Sequence, residues 1–134
     1  MPTEPKTKRT TASVAAFLNA VENEQRRKDA KAVAKIMAEV SGEKAAMWGP
    51  SIVGYGSYKG PTGDWPLIAF SPRKAALVVY AQGGAPGMAA MIAKLGKVKA
   101  SKGCVYINKL SDVDEKALRA LMAKTLKYMR EKYP

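Results

Sequence analysis

Histidine is absent from the 134-residue chain and cysteine occurs once, at Cys104. Without a second thiol no internal disulfide forms. Without imidazole, the usual zinc-ligand spacings, a Cys-His pair and the general base best matched to neutral pH are all missing. This cysteine usage suits a reducing cytoplasm, which is the expected location. No run approaches the roughly 18 apolar residues of a membrane span, so no membrane partner is expected. Lys6, Lys8 and Arg9 ahead of the apolar stretch from Ser13 to Leu18 resemble a signal peptide. However, Asn19 breaks the stretch, and charged residues 22–31 follow in place of a small-residue cleavage site.

Acidic residues are scarce as well, 11 Asp and Glu against 23 Lys and Arg, for a net charge of +12. The deficit is local: residues 1–43 hold eight basic against six acidic, 44–109 nine against one, and 110–134 six against four. The middle of the chain therefore carries +8 of the +12. Such a field favours anionic partners and speeds encounters with them, and it also keeps a protein soluble. Both readings stand at this point.

At this length one core is expected, because two halves would each bury too little surface. Residues 1–12 are polar, contain Pro2 and Pro5, and read as a flexible tail; residues 13–134 read as a single α+β domain. Val14, Phe17, Leu18 and Val21 form one helical stripe, with Thr11 or Ser13 as N-cap. A second helix is predicted over 24–40, burying Ala30, Val33, Met37 and Val40, with Gly42 as its stop. Short apolar runs punctuated by Gly and Pro then predict strands near 44–48, 52–58, 65–70 and 75–81, the last two joined by a hairpin turn at Pro72. Pro86 opens a short helix with Met88, Met91, Ile92 and Leu95, ending at Gly96. A strand over 103–107 precedes a C-terminal helix, capped by Asp112 and Glu115, whose stripe is Leu118, Leu121, Met122, Thr125 and Met129. The predicted order is ααββββαβα, a twisted antiparallel sheet with packed helices.

Met47-Trp48-Gly49-Pro50-Ser51-Ile52-Val53-Gly54-Tyr55-Gly56, Phe70-Ser71-Pro72-Arg73-Lys74 and the stretch from Leu95 through Cys104 to Asp114 come in an order that resembles the YdhG-like family, over about residues 13–131. The resemblance implies a compact α+β domain without established catalytic residues. Some family members have been compared with frataxin and proposed as intracellular iron chaperones. The connection between Tyr58 and Trp65 is shorter here than the family leads one to expect.

Gly54, Gly56 and Gly60 miss the dinucleotide-binding spacing by one residue and no helix follows, so that fingerprint is rejected. Arg73 and Lys74 in the hairpin, with Lys97, Lys99 and Lys102 on a second loop, form an anion cradle if the two loops meet; otherwise they are solvated turn charge. Trp48 and Tyr55 are expected to shape the neighbouring pocket. Trp48, Tyr55, Tyr58, Tyr80 and Tyr106 read as core aromatics, although rings in a row beside Lys and Arg also suit single-stranded nucleic acid or a flat ligand.

Iron binding without His needs carboxylates, and Glu22 with Glu24, Glu39 with Glu43, and Asp112-Asp114-Glu115 are the candidates. Cys104 is the only thiol nucleophile, yet it opens an apolar strand, where a free thiol packs as a small hydrophobe. The reading that follows is a non-enzymatic binding module using Arg73, Lys74, Lys97, Lys102, Trp48 and Tyr55. It takes no cofactor, and its partner is an anionic small molecule, nucleic acid or an acidic protein. An iron chaperone and an enzyme using Cys104 are the alternatives.

Overall fold

Side-chain caps set where the first two helices begin. In the computed structural model, which describes residues 9–10, 12–49, 51–60, 63–80, 87–101 and 104–133, Ser13 accepts from the Ala16 N–H to open α1 (Val14–Asn19). Asn23 does the same for the Arg26 N–H to open α2 (Glu24–Ser41), satisfying donors that have no partner within the helix. Helix α2 stops at Gly42, whose φ of 69° lies in the left-handed region that a residue with a Cβ adopts only at a cost. Ala30, Val33, Ile36 and Met37 are its buried stripe, with Val40 half-buried.

The strands are β1 (Arg9–Thr10), β2 (Ala45–Trp48), β3 (Ile52–Tyr55), β4 (Tyr58–Gly60), β5 (Gly63–Trp65), β6 (Ile68–Pro72), β7 (Leu77–Tyr80), β8 (Val98–Ser101) and β9 (Cys104–Ile107). Helix α3 (Met88–Ala93) precedes β8, and a 3-10 turn, Leu110–Asp112, leads into α4 (Glu115–Lys132). Seven strands form one antiparallel sheet in the order β1-β2-β3-β6-β7-β9-β8, while β4 and β5 form a separate hairpin. The fold class is α+β, as expected.

Several expectations need correction. The strand predicted over 52–58 is two strands, broken at Gly56-Ser57, and the one over 65–70 is likewise divided at Pro66-Leu67. The missing piece in each case is an arm of the β4–β5 hairpin. Arg9 and Thr10, assigned to the tail, pair with Trp48 and Met47. Val98 to Ser101 was too polar to announce a strand, yet it pairs with β9 as an edge strand. The cap of α4 is Asp114, not Asp112: its carboxylate accepts from the Lys116 and Ala117 N–H groups, and Asp112 is used up in the 3-10 turn. The expected helix start at Pro86 and strand start at residue 103 lie outside the described residues.

Strand alternation divides the sheet into two faces. Met47, Val53, Phe70, Val79 and Val105 lie in one cross-strand row and join Leu18, Val33, Met37, Leu118, Leu121 and Met122 from the helices in a single core cluster. The alternate row is Ala46, Gly54, Ala69, Tyr80, Cys104 and Ser101. Trp48, Ala69 and Val78 are buried on that second face and stand outside the helical cluster. All four helices therefore pack on one face of the sheet.

Candidate functional site

Where the α1–α2 connection passes the start of β3 and the β6–β7 turn, it leaves a groove of about 630 Å³. Phe17, Ala20, Val21 and Pro72 give it apolar walls, and Glu22, Asn23, Arg26, Ser51, Arg73 and Lys74 give it polar ones. Arg27 holds the connection in place by donating to the Val21 carbonyl at 2.8 Å. Arg26 donates to the carbonyls of Arg73 and, at 3.3 Å, Asn108, so α2 is tied to the β6–β7 turn and to the end of β9. Within the turn, the Arg73 N–H donates to the Ala76 carbonyl. Its guanidinium donates to the Tyr80 hydroxyl at 2.9 Å.

Three basic side chains of the helices are paired with carboxylates. Arg119 is neutralised by Glu39 at 2.8 Å and Glu115 at 3.1 Å, Lys28 by Glu24 at 3.3 Å, and Arg130 lies 3.9 Å from Glu43. The Arg119 guanidinium holds the Glu39 carboxyl below its ordinary value, chiefly through their hydrogen bond. By contrast, among the described residues Arg26 and Arg73 bond only to neutral oxygens, and Lys74 forms no ion pair. No Asp or Glu occurs between Asp64 and Asp112. Glu22 is the one acid lining the groove, so the cations there exceed the anions by two.

Arg73 and Lys74 thus line the groove. Lys97 stands at the same end of the sheet, since Leu77 and Val98 both pair with Ile107, but it does not line the groove. Lys102 lies outside the described residues. Trp48 and Tyr55 do not shape the groove: each is only 1% exposed. Tyr55 reaches under α2, where its hydroxyl donates to the Ala34 carbonyl at 2.9 Å, and burial pushes its ionisation well above the ordinary tyrosine range.

Phe17, Val21 and Arg26 were missed by sequence reasoning. One signal was available for Arg26: Arg26, Arg27 and Lys28 sit in the first turns of α2, the end where positive charge is disfavoured by the helix dipole. A cation placed there invites the question of what else holds it.

A second hollow of about 600 Å³ lies between the β4–β5 hairpin and the end of α4, lined by Ser57, Tyr58, Lys59, Asp64, Lys132 and Tyr133. Tyr58 stacks on Tyr133 with ring centroids 4.4 Å apart. The carboxylates weighed for iron are dispersed: Glu24, Glu39 and Glu115 are in ion pairs and Asp114 caps α4. Among the described residues no three Asp, Glu, Cys or His side chains come together as a metal site. No helix among them is long and apolar enough to cross a membrane. No protein-family model, curated protein or solved structure matches the chain.

Proposed function

We propose that the protein is a binding module whose groove between the α1–α2 connection and the β6–β7 turn receives a small organic anion with an apolar body. The observation that carries this reading is the convergence of Arg26, Arg73 and Lys74, with Glu22 the one acid among them, beside apolar walls in a single groove. Arg offers a planar fork to a carboxylate, sulfonate or phosphate, and Lys74 adds a mobile charge at the rim. Phe17, Val21 and Pro72 cover the rest of the ligand, in the way small-molecule sites combine an apolar lining with a few polar groups. The reading requires no reaction. It also fits the resemblance to the YdhG-like family, which implies a domain of this fold class without established catalytic residues.

The test uses 8-anilinonaphthalene-1-sulfonate as the probe anion, followed by fluorescence and by amide chemical shifts. Saturable binding is expected, with shifts confined to residues near 17–26, 51 and 72–74. Lys74→Glu, an exposed substitution that leaves the fold intact, is expected to weaken binding about tenfold, the equivalent of roughly 1.4 kcal/mol. Shifts spread over the surface, or unchanged affinity in Lys74→Glu, refute the proposal.

A further inference from the structure

The sheet face that carries no helix has its own chemistry. Strand register places Tyr80 opposite Cys104 on β9, and Tyr106 two residues further along the same strand and opposite Val78. The two residues are therefore diagonal neighbours on adjacent strands, their backbone positions about 7–8 Å apart. Each hydroxyl is pinned: Tyr80 accepts from Arg73, and Tyr106 shares a 2.9 Å hydrogen bond with Ser101. Both rings are half-buried, so each keeps exposed surface while its base rests on a packed floor of Ala69, Ser71 and Val78. Burial raises the ionisation of Tyr80, and Arg73, Cys104 and Tyr106 all act on it electrostatically, as expected for groups sharing one patch.

Cations rim these rings. Lys99 pairs with Tyr106 across β8 and β9, and Arg73 lies beside Tyr80. Lys97 stands at the mouth of β8, immediately before Val98, in a tight turn closed by the Val98 N–H donating to the Gly96 carbonyl. Arg73 and Lys97 are then three strand spacings apart, about 14 Å, at one end of the patch. Lys97 and Lys99 are exposed and form no ion pair among the described residues, and the whole stretch from Pro66 to Ser111 holds no acid.

We propose that this helix-free face, centred on Tyr80 and Tyr106, binds single-stranded nucleic acid. Bases stack on the two rings, and phosphates meet Arg73, Lys97 and Lys99. Unpaired bases are required because a duplex keeps its faces stacked on one another, whereas an antiparallel sheet with exposed aromatics accepts them one by one. The positive field supplies attraction that does not depend on sequence. This surface shares Arg73 with the groove, which otherwise opens on the helical side of the β6–β7 turn.

Fluorescence anisotropy with a labelled oligothymidylate of about 12 nucleotides tests it. Three phosphate contacts predict a roughly 20-fold loss of affinity between about 50 and 200 mM salt. Tyr106→Ala is expected to weaken binding at least about fivefold through lost stacking. Lys99→Glu, on the exposed edge strand, does so by charge and keeps the argument testable if the tyrosine variant fails to fold. Cys104, half-buried between the paired positions of Tyr80 and Ser101, is a built-in reporter: saturating oligonucleotide is expected to slow its labelling by a maleimide.

Lys99→Glu, which lies on the patch and does not line the groove, is expected to leave the affinity for anilinonaphthalenesulfonate unchanged, which separates the two sites. The proposal is overturned by absence of binding at about 50 mM salt, by a duplex of the same length binding as tightly as the single strand, by unaltered affinity in Lys99→Glu, or by a Cys104 labelling rate that the oligonucleotide does not alter.

Discussion

Gly54→Ala offers a sharp check on how the second face of the sheet is packed. A Cβ at Gly54 falls 2.5 Å from Trp48 Cδ1, 2.6 Å from Trp48 Nε1 and 2.6 Å from Pro66 Cβ. Trp48 has little room to retreat, being 1% exposed, and Pro66 is buried as well. Overpacking of this kind costs about 1–3 kcal/mol. Removing glycine's freedom in the unfolded chain returns about 0.4–1 kcal/mol, leaving a net loss of roughly 1–2 kcal/mol. For 134 residues, an unfolding entropy of about 2.1 cal/mol/K per residue makes each kcal/mol worth about 4 °C. The midpoint of thermal unfolding should therefore fall by about 4–8 °C.

A double-mutant cycle identifies the cause. Trp48→Leu destabilises the protein on its own through lost burial, but Gly54→Ala placed on top of it should cost about 0.5–1 kcal/mol less than in the wild type, because the indole is gone and only the Pro66 contact remains. A Gly54→Ala protein as stable as the wild type, or additive effects in the cycle, refutes this account of the face.

Asp29 is buried without a cation and accepts from the Gln25 side chain at 2.8 Å and the Leu110 N–H at 3.1 Å; Asp29→Ala should cost about 1–3 kcal/mol in urea unfolding. Burial raises the ionisation of Tyr55, Tyr58 and Tyr80 above the ordinary 10.0. The stability these neutral phenols contribute is present in full below the ordinary value and is lost as pH climbs past it. Ultraviolet titration of tyrosinate should show a late-ionising group that appears together with alkaline unfolding, and Tyr55→Phe should move that unfolding to higher pH. The Glu39 carboxyl is held low by Arg119, so its contribution is present above the ordinary 4.5 and lost as pH falls below it. Thermal midpoints of Glu39→Gln should decline less steeply through that acid range than those of the wild type.

Helices α1, α2 and α4 were legible because each carries its own local signal. Ser13, Gly42 and the stripe through Leu118, Leu121 and Met122 act within a few residues of sequence, where periodicity and capping operate. The sheet was legible in outline only. Whether Val98 to Ser101 is a strand depends on whether β9 lies beside it, a non-local fact that four residues with two polar side chains do not announce. The β4–β5 hairpin was hidden for a related reason, because Tyr58 and Trp65 look like the tails of longer strands until Ser57 and Pro66 are seen to break them.

The site was half legible. Arg73 and Lys74 were visible as a basic turn, but their groove is completed by Val21 and Arg26, about 50 residues upstream, and only the packing of α2 against the sheet brings these together. Trp48 and Tyr55 misled because an aromatic on a strand looks the same in sequence whichever face it occupies and however deeply it is covered.

Among the described residues, both borders of the sheet are poor templates for strand addition. One border, β1, is only two residues long, and the other, β8, carries Lys97 at its entrance and Lys99 at its centre. An approaching copy would meet like charge at one margin and almost no backbone ladder at the other, so growth by strand addition is discouraged at both. Neutralising Lys97 and Lys99 together would remove that barrier at β8 and favour a closed dimer paired β8 to β8.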